Sequence, residues 1–358
     1  IMNQGGIAHR LINFAKALIG SMPGGLIYVN VIAAMLFGAI SGSAVAAASA
    51  IGGILGPPME KEKYSKEFGA AINVTASTTG LIIPPSNVLI VYSLASGGVS
   101  IASLFLAGYI PGILMGLALM LVAAVWIKKK KYPPGEKTSA KKIATTFLDA
   151  LPSLLLLVVV IGGIVSGIFT ATEASGIAVL YTLILAIIYR EINLNKLHKI
   201  FLSSVVTTSI VLLLIATSMG MSWVMSFENI PQTVSDALLG LSDNKYVILI
   251  IINLLLLFVG TFMDMTPAIL IFTPIFLPIM KSLGVDPVHF GMIMVMNLCV
   301  GLCTPPVGSV LFIGVGVAKT TIQKVMKPLL PLYIAMAIIL LLVTYLPQIS
   351  LWLPGLFE

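Results

Sequence analysis

Apolar runs of bilayer-spanning character recur along this chain, and its basic residues are confined to the short stretches between them. Segments 153–168, 210–219 and 247–259 are the plainest cases, set among Gly and Pro. A spanning helix needs about 20 mainly apolar residues. In hydrocarbon each backbone N–H and C=O has to find its partner within the protein, and a helix achieves this inside a single segment. Composition agrees: 9% of the 358 residues are charged and 58% are hydrophobic, against about 25% charged in a soluble domain. The expected fold is an all-α, polytopic membrane protein.

The formal net charge of +7 would suggest a polyanion partner in a soluble protein. Here the Lys and Arg residues sit in loops and set topology, so no nucleic-acid partner is expected. Lys128, Lys129, Lys130 and Lys131, followed by Lys137, Lys141 and Lys142, mark a cytoplasmic loop. From it a span at about 150–168 runs outward, the turn 170–173 lies outside, and a span at 176–189 returns to Arg190, Lys196 and Lys199. A further span, 201–224, exits to the stretch 226–244, which carries Glu228, Asp236 and Asp243 but no Lys or Arg. Upstream, a span at 103–127 enters the basic loop, so 69–96 runs outward from Glu60-Lys61-Glu62-Lys63. Segments 24–58 and 245–280 are long and have small, polar or Pro residues in their middles. Read as re-entrant hairpins, the first opening to the cytoplasm and the second to the outside, they leave only Lys245 and Lys281 outside. The chain opens on Ile1 in mid-pattern without a signal peptide, so this count of spans is a minimum.

The chain also repeats itself. Gly38 and Gly260 are 222 residues apart, Phe68-Gly69 and Phe290-Gly291 are 222 apart, and Pro57 and Pro278, like Pro84-Pro85 and Pro305-Pro306, are 221 apart. Dipeptides recurring in order at one offset indicate an internal repeat. The loop charges make the second copy, about 290–317, run inward to Lys319, Lys324 and Lys327. Each half is then a hairpin followed by a span, in opposite orientations, which is the inverted-repeat plan of secondary transporters with binding at the midplane.

Both repeat spans are interrupted. Thr75-Ala76-Ser77-Thr78-Thr79-Gly80 runs into Ile83-Pro84-Pro85-Ser86-Asn87, and Gly301-Leu302-Cys303-Thr304 runs into Pro305-Pro306-Val307-Gly308. Consecutive prolines remove backbone donors and stop a continuous helix. Carbonyls freed there are tolerable only when buried in protein or lining a hydrated cavity. With Ser and Thr hydroxyls they form hard oxygen sites suited to an alkali cation, and neighbouring half-helix N-termini favour a carboxylate. A bare helix kink is the competing reading of either break alone. The hairpin middles, Gly38 to Ser43 and Gly260 to Pro267, repeat the pattern, although Ser41-Gly42-Ser43 also reads as a small-residue packing contact. Asp264 is either an intramembrane functional carboxylate or the cap of a helix restarting at Thr266-Pro267. Ser41, Thr78, Thr79, Asn87, Asp264 and Thr266 are the candidate substrate-contacting residues. Glu173 reads as a helix N-terminal acid. Cys299 and Cys303 lack the partners of a zinc site and read as buried thiols. His9, His198 and His289 form no cluster, and no nucleophile motif or phosphate loop points to an enzyme.

These residues resemble the large membrane (M) subunit of tripartite ATP-independent periplasmic (TRAP) transporters. The likeness is densest at 41–46, 80–86, 172–174, 260–267, 286–291 and 301–308. Thr170-Ala171-Thr172-Glu173 departs from the family in lacking a Pro at its second position, and relative to the family the first few helices are absent. The resemblance implies an elevator mechanism in the bacterial inner membrane: a transport domain carries substrate and sodium across beside a fixed scaffold. It further implies a small membrane (Q) subunit, a periplasmic substrate-binding protein (P) and an organic acid substrate of the sialic acid or C4-dicarboxylate class. Family sodium sites fall on Gly260, Gly301, Thr304 and Val307, and repeat symmetry extends them to Ser41, Ser43, Gly80, Ile83 and Ser86. The implied organisation is a connecting scaffold helix (1–23), a first transport repeat (24–102), scaffold helices (103–244), a second transport repeat (245–320) and a C-terminal spanning helix (321–358). A stand-alone divalent-anion/sodium symporter and a passive channel or structural subunit are the alternatives.

Overall fold

The computed structural model describes residues 7–357 apart from 131, 133, 136, 137 and 243. Lys131 and Lys137 of the basic loop, and Asp243, therefore lie outside the described residues. Helix α1 (Ile7–Ile19) leads into a hairpin of α2 (Gly25–Ser41) and α3 (Ala44–Lys61), then α4 (Lys66–Thr79) and α5 (Asn87–Ala95). Next come α6 (Ile101–Lys130), α7 (Ala140–Val165), α8 (Ala171–Ile188), α9 (Leu194–Phe227) and α10 (Ile230–Leu241). A second hairpin, α11 (Lys245–Phe262) and α12 (Met265–Ser282), precedes α13 (Pro287–Gly301), α14 (Ser309–Val317), α15 (Ile322–Tyr345) and the short α16 (Gln348–Leu351). Seven of these helices (α6, α7, α8, α9, α11, α12 and α15) are long and apolar enough to cross a bilayer. The chain is an all-α, multi-pass membrane protein.

Local sequence explains where the helices start. Ser43 caps α3 by accepting the Ala46 N–H (3.2 Å), and Ser65 caps α4 by accepting that of Phe68 (3.2 Å). Asp286 accepts from Val288 N (2.7 Å) and His289 N (3.2 Å), with Pro287 opening α13. Thr170 and Glu173 close a reciprocal capping box on α8, so Glu173 is the helix N-terminal acid that the sequence predicts. The Pro-Pro pairs fall between α4 and α5 and between α13 and α14, as expected of them, and both Pro-Pro peptide bonds are cis. Helix boundaries differ from expectation elsewhere. Caps at Ser139, Thr170 and Asn193 start α7, α8 and α9 at 140, 171 and 194, ahead of their apolar cores. The polar stretch read as an external connection contains α10.

The two broken helices form the centre. Every residue of α13 from His289 to Gly301 is buried, as is α4 from Ala70 to Thr79. Helices enclosed on all sides need no polar face, which is why neither is amphipathic. The halves interlock: α2 and α3 pack on α4 and α11 and α12 on α13, while α14 crosses to α3 and α5 to α12. By contrast α9 exposes a run of large apolar side chains, including Phe201, Leu212, Leu213 and Trp223, as a lipid-facing helix does.

Candidate functional site

Each hairpin meets its broken helix through glycine. A methyl group on Gly80 would lie 2.7 Å from the Gly38 Cα, and one on Gly301 would lie 2.5 Å from the Gly260 Cα. Backbone therefore touches backbone at both crossings, and only glycine permits it. Gly38 and Gly260 are landmarks of the repeat, and their partners Gly80 and Gly301 stand 221 residues apart. The second crossing carries a further link, in which Gly308 N–H donates to the Thr261 carbonyl (3.1 Å). The first has Gly42, at φ 64°, where an added methyl would come within 3.0 Å of the Asn87 side chain.

Between the hairpin tips lies a cavity of about 310 Å³. Ser43, Asn87, Asp264 and Thr266 line it, with Thr207 from α9 opposite. The lining residues include the first residues of α3, α5 and α12, and Val310 from the first turn of α14. Four helix N-termini thus converge on one space, each presenting unpaired N–H groups and partial positive charge. Among the described residues, Asp264 is the only charged side chain in the lining. It occupies the N-cap position of α12, yet its carboxylate makes no cap hydrogen bond and is exposed to the cavity. Its backbone fits the capping reading; its side chain does not perform it.

The other candidate substrate residues are placed differently. Thr78 and Thr79 are fully buried outside this lining, and both hydroxyls donate to the Thr75 carbonyl (2.9 Å each). Thr78 instead joins the two breaks: its Oγ1 lies 3.3 Å from Cys303 Sγ, and its carbonyl accepts the Cys299 thiol (3.3 Å). Both cysteines are buried and free, in keeping with the expectation for them. Ser41 is half-buried at the first tip, where its hydroxyl accepts from Ser43 N (3.3 Å).

The candidate cation residues fall into two groups by the same symmetry. Gly260 and Gly301 meet at the second crossing; Thr304, whose N–H donates to the Gly301 carbonyl (2.8 Å) and whose hydroxyl donates to that of Val300 (2.8 Å), and Val307 follow on the same break. Gly80 lies at the first crossing; Ser41 and Ser43 stand at its hairpin tip, and Ile83 and Ser86 on its break, where buried Ser86 donates to the Leu81 carbonyl (2.5 Å). These donor sets consist of carbonyl and hydroxyl oxygens, which suit a hard monovalent cation and lack the thiolate or imidazole of a transition-metal site. Ile83 also packs on Gly112, where an added methyl would meet its side chain at 2.5 Å.

Three features are not identified from sequence. Thr207 enters the cavity from a helix read as a plain span; the polar run Thr207-Thr208-Ser209 inside apolar sequence is its signal. Tyr333 of α15 donates to the Cys303 carbonyl at the second break. A buried chain links Asn297 Nδ2 to Asn253 Oδ1 (2.6 Å) and Asn253 Nδ2 to Thr344 Oγ1 (3.1 Å), tying α13 and α11 to α15.

Comparison with known proteins agrees with this architecture. The sequence profile of the tripartite ATP-independent periplasmic transporter, DctM component, matches residues 1–349. The Salmonella typhimurium protein "Uncharacterized protein YgiK" is 60% identical over all of this chain and 82% of its own length. The isethionate TRAP transporter permease protein DctMQ of Oleidesulfovibrio alaskensis is 41% identical over 99% of this chain, which spans 56% of that longer protein. The C4-dicarboxylate TRAP transporter large permease protein DctM of Pseudomonas aeruginosa is 40% identical over 99% of this chain and 83% of its own. Paired helical hairpins, paired Pro-Pro breaks and a profile match along almost the whole chain lead to one assignment: this protein belongs to the DctM family of TRAP transporter large permeases, and is a transport protein rather than an enzyme.

Proposed function

We propose that this chain is the carrier subunit of a sodium-coupled, elevator-type TRAP transporter in the bacterial inner membrane, importing an organic acid of the sialic acid or C4-dicarboxylate class. The observation that carries the reading is the convergence of four helix N-termini on a cavity lined by no Lys or Arg among the described residues. Backbone dipoles held by a rigid scaffold attract a carboxylate while leaving it free to depart, because no ion pair has to be broken. Two oxygen-rich breaks flank that cavity, and sodium at Gly260, Gly301, Thr304 and Val307, and at Ser41, Ser43, Gly80, Ile83 and Ser86, would hold the tips in the geometry that presents those N-termini. Residues 24–102 and 245–320 form the moving domain; residues 1–23, 103–244 and 321–358 form the scaffold. A small membrane subunit braces the scaffold, and a periplasmic binding protein delivers the substrate. Relatives named for isethionate and for a C4-dicarboxylate stand at 41% and 40% identity, so identity does not choose the acid.

The test is uptake into proteoliposomes by the chain with its partner subunits, with and without an inward sodium gradient. Import should require the gradient, and Thr304→Ala should weaken sodium dependence while leaving protein abundance unchanged. Equal import without sodium would refute the coupling.

A further inference from the structure

A second cavity, of about 280 Å³, opens beneath the first hairpin, away from the hairpin tips. Asn30 of α2 and Asn73 of α4 line it and are 1% and 3% exposed. The Oδ1 atom of each accepts no hydrogen bond. The Asn73 amide is oriented by its own donor, Nδ2 giving 2.7 Å to the Ala48 carbonyl. Two enclosed acceptors without donors are a demand that a ligand or water has to meet, and the space exceeds the roughly 30 Å³ share of one water several times. Gly52 keeps it open, since an added methyl would reach Asn73 Nδ2 at 2.7 Å.

The exposed rim carries the complementary signal. Lys66 pairs with Glu60 (2.6 Å), whereas Lys319 makes no ion pair among the described residues, so the rim retains one positive charge. A cation would meet the buried carbonyl oxygens but face the lysines. A simple anion would meet the lysines and leave the amides unsatisfied. A ligand with an anionic end and hydroxyl donors at the other answers both. We propose that this crevice binds a phosphoglycerol group, either as free glycerol 3-phosphate or as the headgroup of phosphatidylglycerol, with phosphate at Lys319 and hydroxyls donating to Asn30 and Asn73. Occupancy clamps α2 and α3 to α4 and to α14, the helix that crosses over from the other repeat.

The site is tested on the purified full chain by two probes. Titration calorimetry compares glycerol 3-phosphate with propyl phosphate, which has the same charge and no hydroxyl; native mass spectrometry compares retention of phosphatidylglycerol with that of phosphatidic acid. The hydroxylated probe should bind about tenfold tighter in at least one comparison, from two added hydrogen bonds. Discrimination in the first alone identifies a soluble ligand, in the second alone a lipid, and either supports the site. Gly56→Leu should abolish it, because Gly56 lines the crevice one helical turn from Gly52 and an added methyl meets open space there. Lys319→Ala, on the exposed rim, should weaken both members of a pair equally, while Gly220→Ala, where an added methyl meets nothing within 4 Å, should change nothing. Equal binding of hydroxylated and plain phosphates in both comparisons, or undiminished binding by Gly56→Leu, would overturn the proposal.

Discussion

Four glycines bring backbone against backbone at the two hairpin crossings, and their replacement should be felt in proportion to what the new methyl meets. Gly80→Ala and Gly301→Ala place carbon 2.7 and 2.5 Å from backbone atoms that no rotamer change can move. Overpacking of this kind costs about 1–3 kcal/mol, and both variants should show lower thermal unfolding temperatures in detergent. Gly220→Ala, where the added methyl meets nothing within 4 Å, is the control and should not fall. At Asp264 the charge is the variable. Its carboxylate is exposed to the cavity and caps nothing, so Asp264→Asn removes repulsion toward the proposed organic acid. The substrate KM should fall several-fold with the unfolding temperature unchanged. A loss of sodium dependence instead would assign Asp264 to the coupling cation.

At the scale of helices, capping is the testable contribution. Asp286 satisfies two of the unpaired N–H groups that open α13, the most enclosed helix, and Asp286→Ala should destabilise the protein by about 1 kcal/mol, read as a shift in thermal unfolding. Most elements of this scale are legible in sequence because membrane and turn chemistry write them plainly. Pro84-Pro85 and Pro305-Pro306 announce the breaks, and Ser43 and Pro267 bracket the hairpin tips. Helix α10 is not legible: its stretch lacks the sustained apolar run by which the spans are recognised. The early starts of α7, α8 and α9 are overlooked for a related reason, since capping begins a helix in polar sequence before any apolar run appears. Within the site, spacing reveals that Gly38 and Gly260 are equivalent, but not that each rests on a second glycine. Thr78 and Thr79 look available in sequence, and only packing shows their hydroxyls committed to Thr75.

For the molecule as a whole, the central question is relative movement of α9 and the second hairpin, which meet at the central cavity through Thr207 and Thr266. If the hairpins travel against a fixed scaffold, tethering this pair should arrest transport. Thr207→Cys with Thr266→Cys, bridged by a reducible bifunctional thiol reagent, should lose uptake and recover it on reduction, with membrane abundance constant; unimpaired uptake in the bridged protein would argue against the elevator. The enclosure of Cys299 and Cys303 at the junction of the breaks has a practical side. They are the two thiols of these 358 residues, both at 0% exposure, so to a maleimide or a spin label this folded stretch is blank. Any single cysteine placed on a hairpin helix then becomes a background-free reporter of position, with no need to disturb the packed centre by removing the native pair.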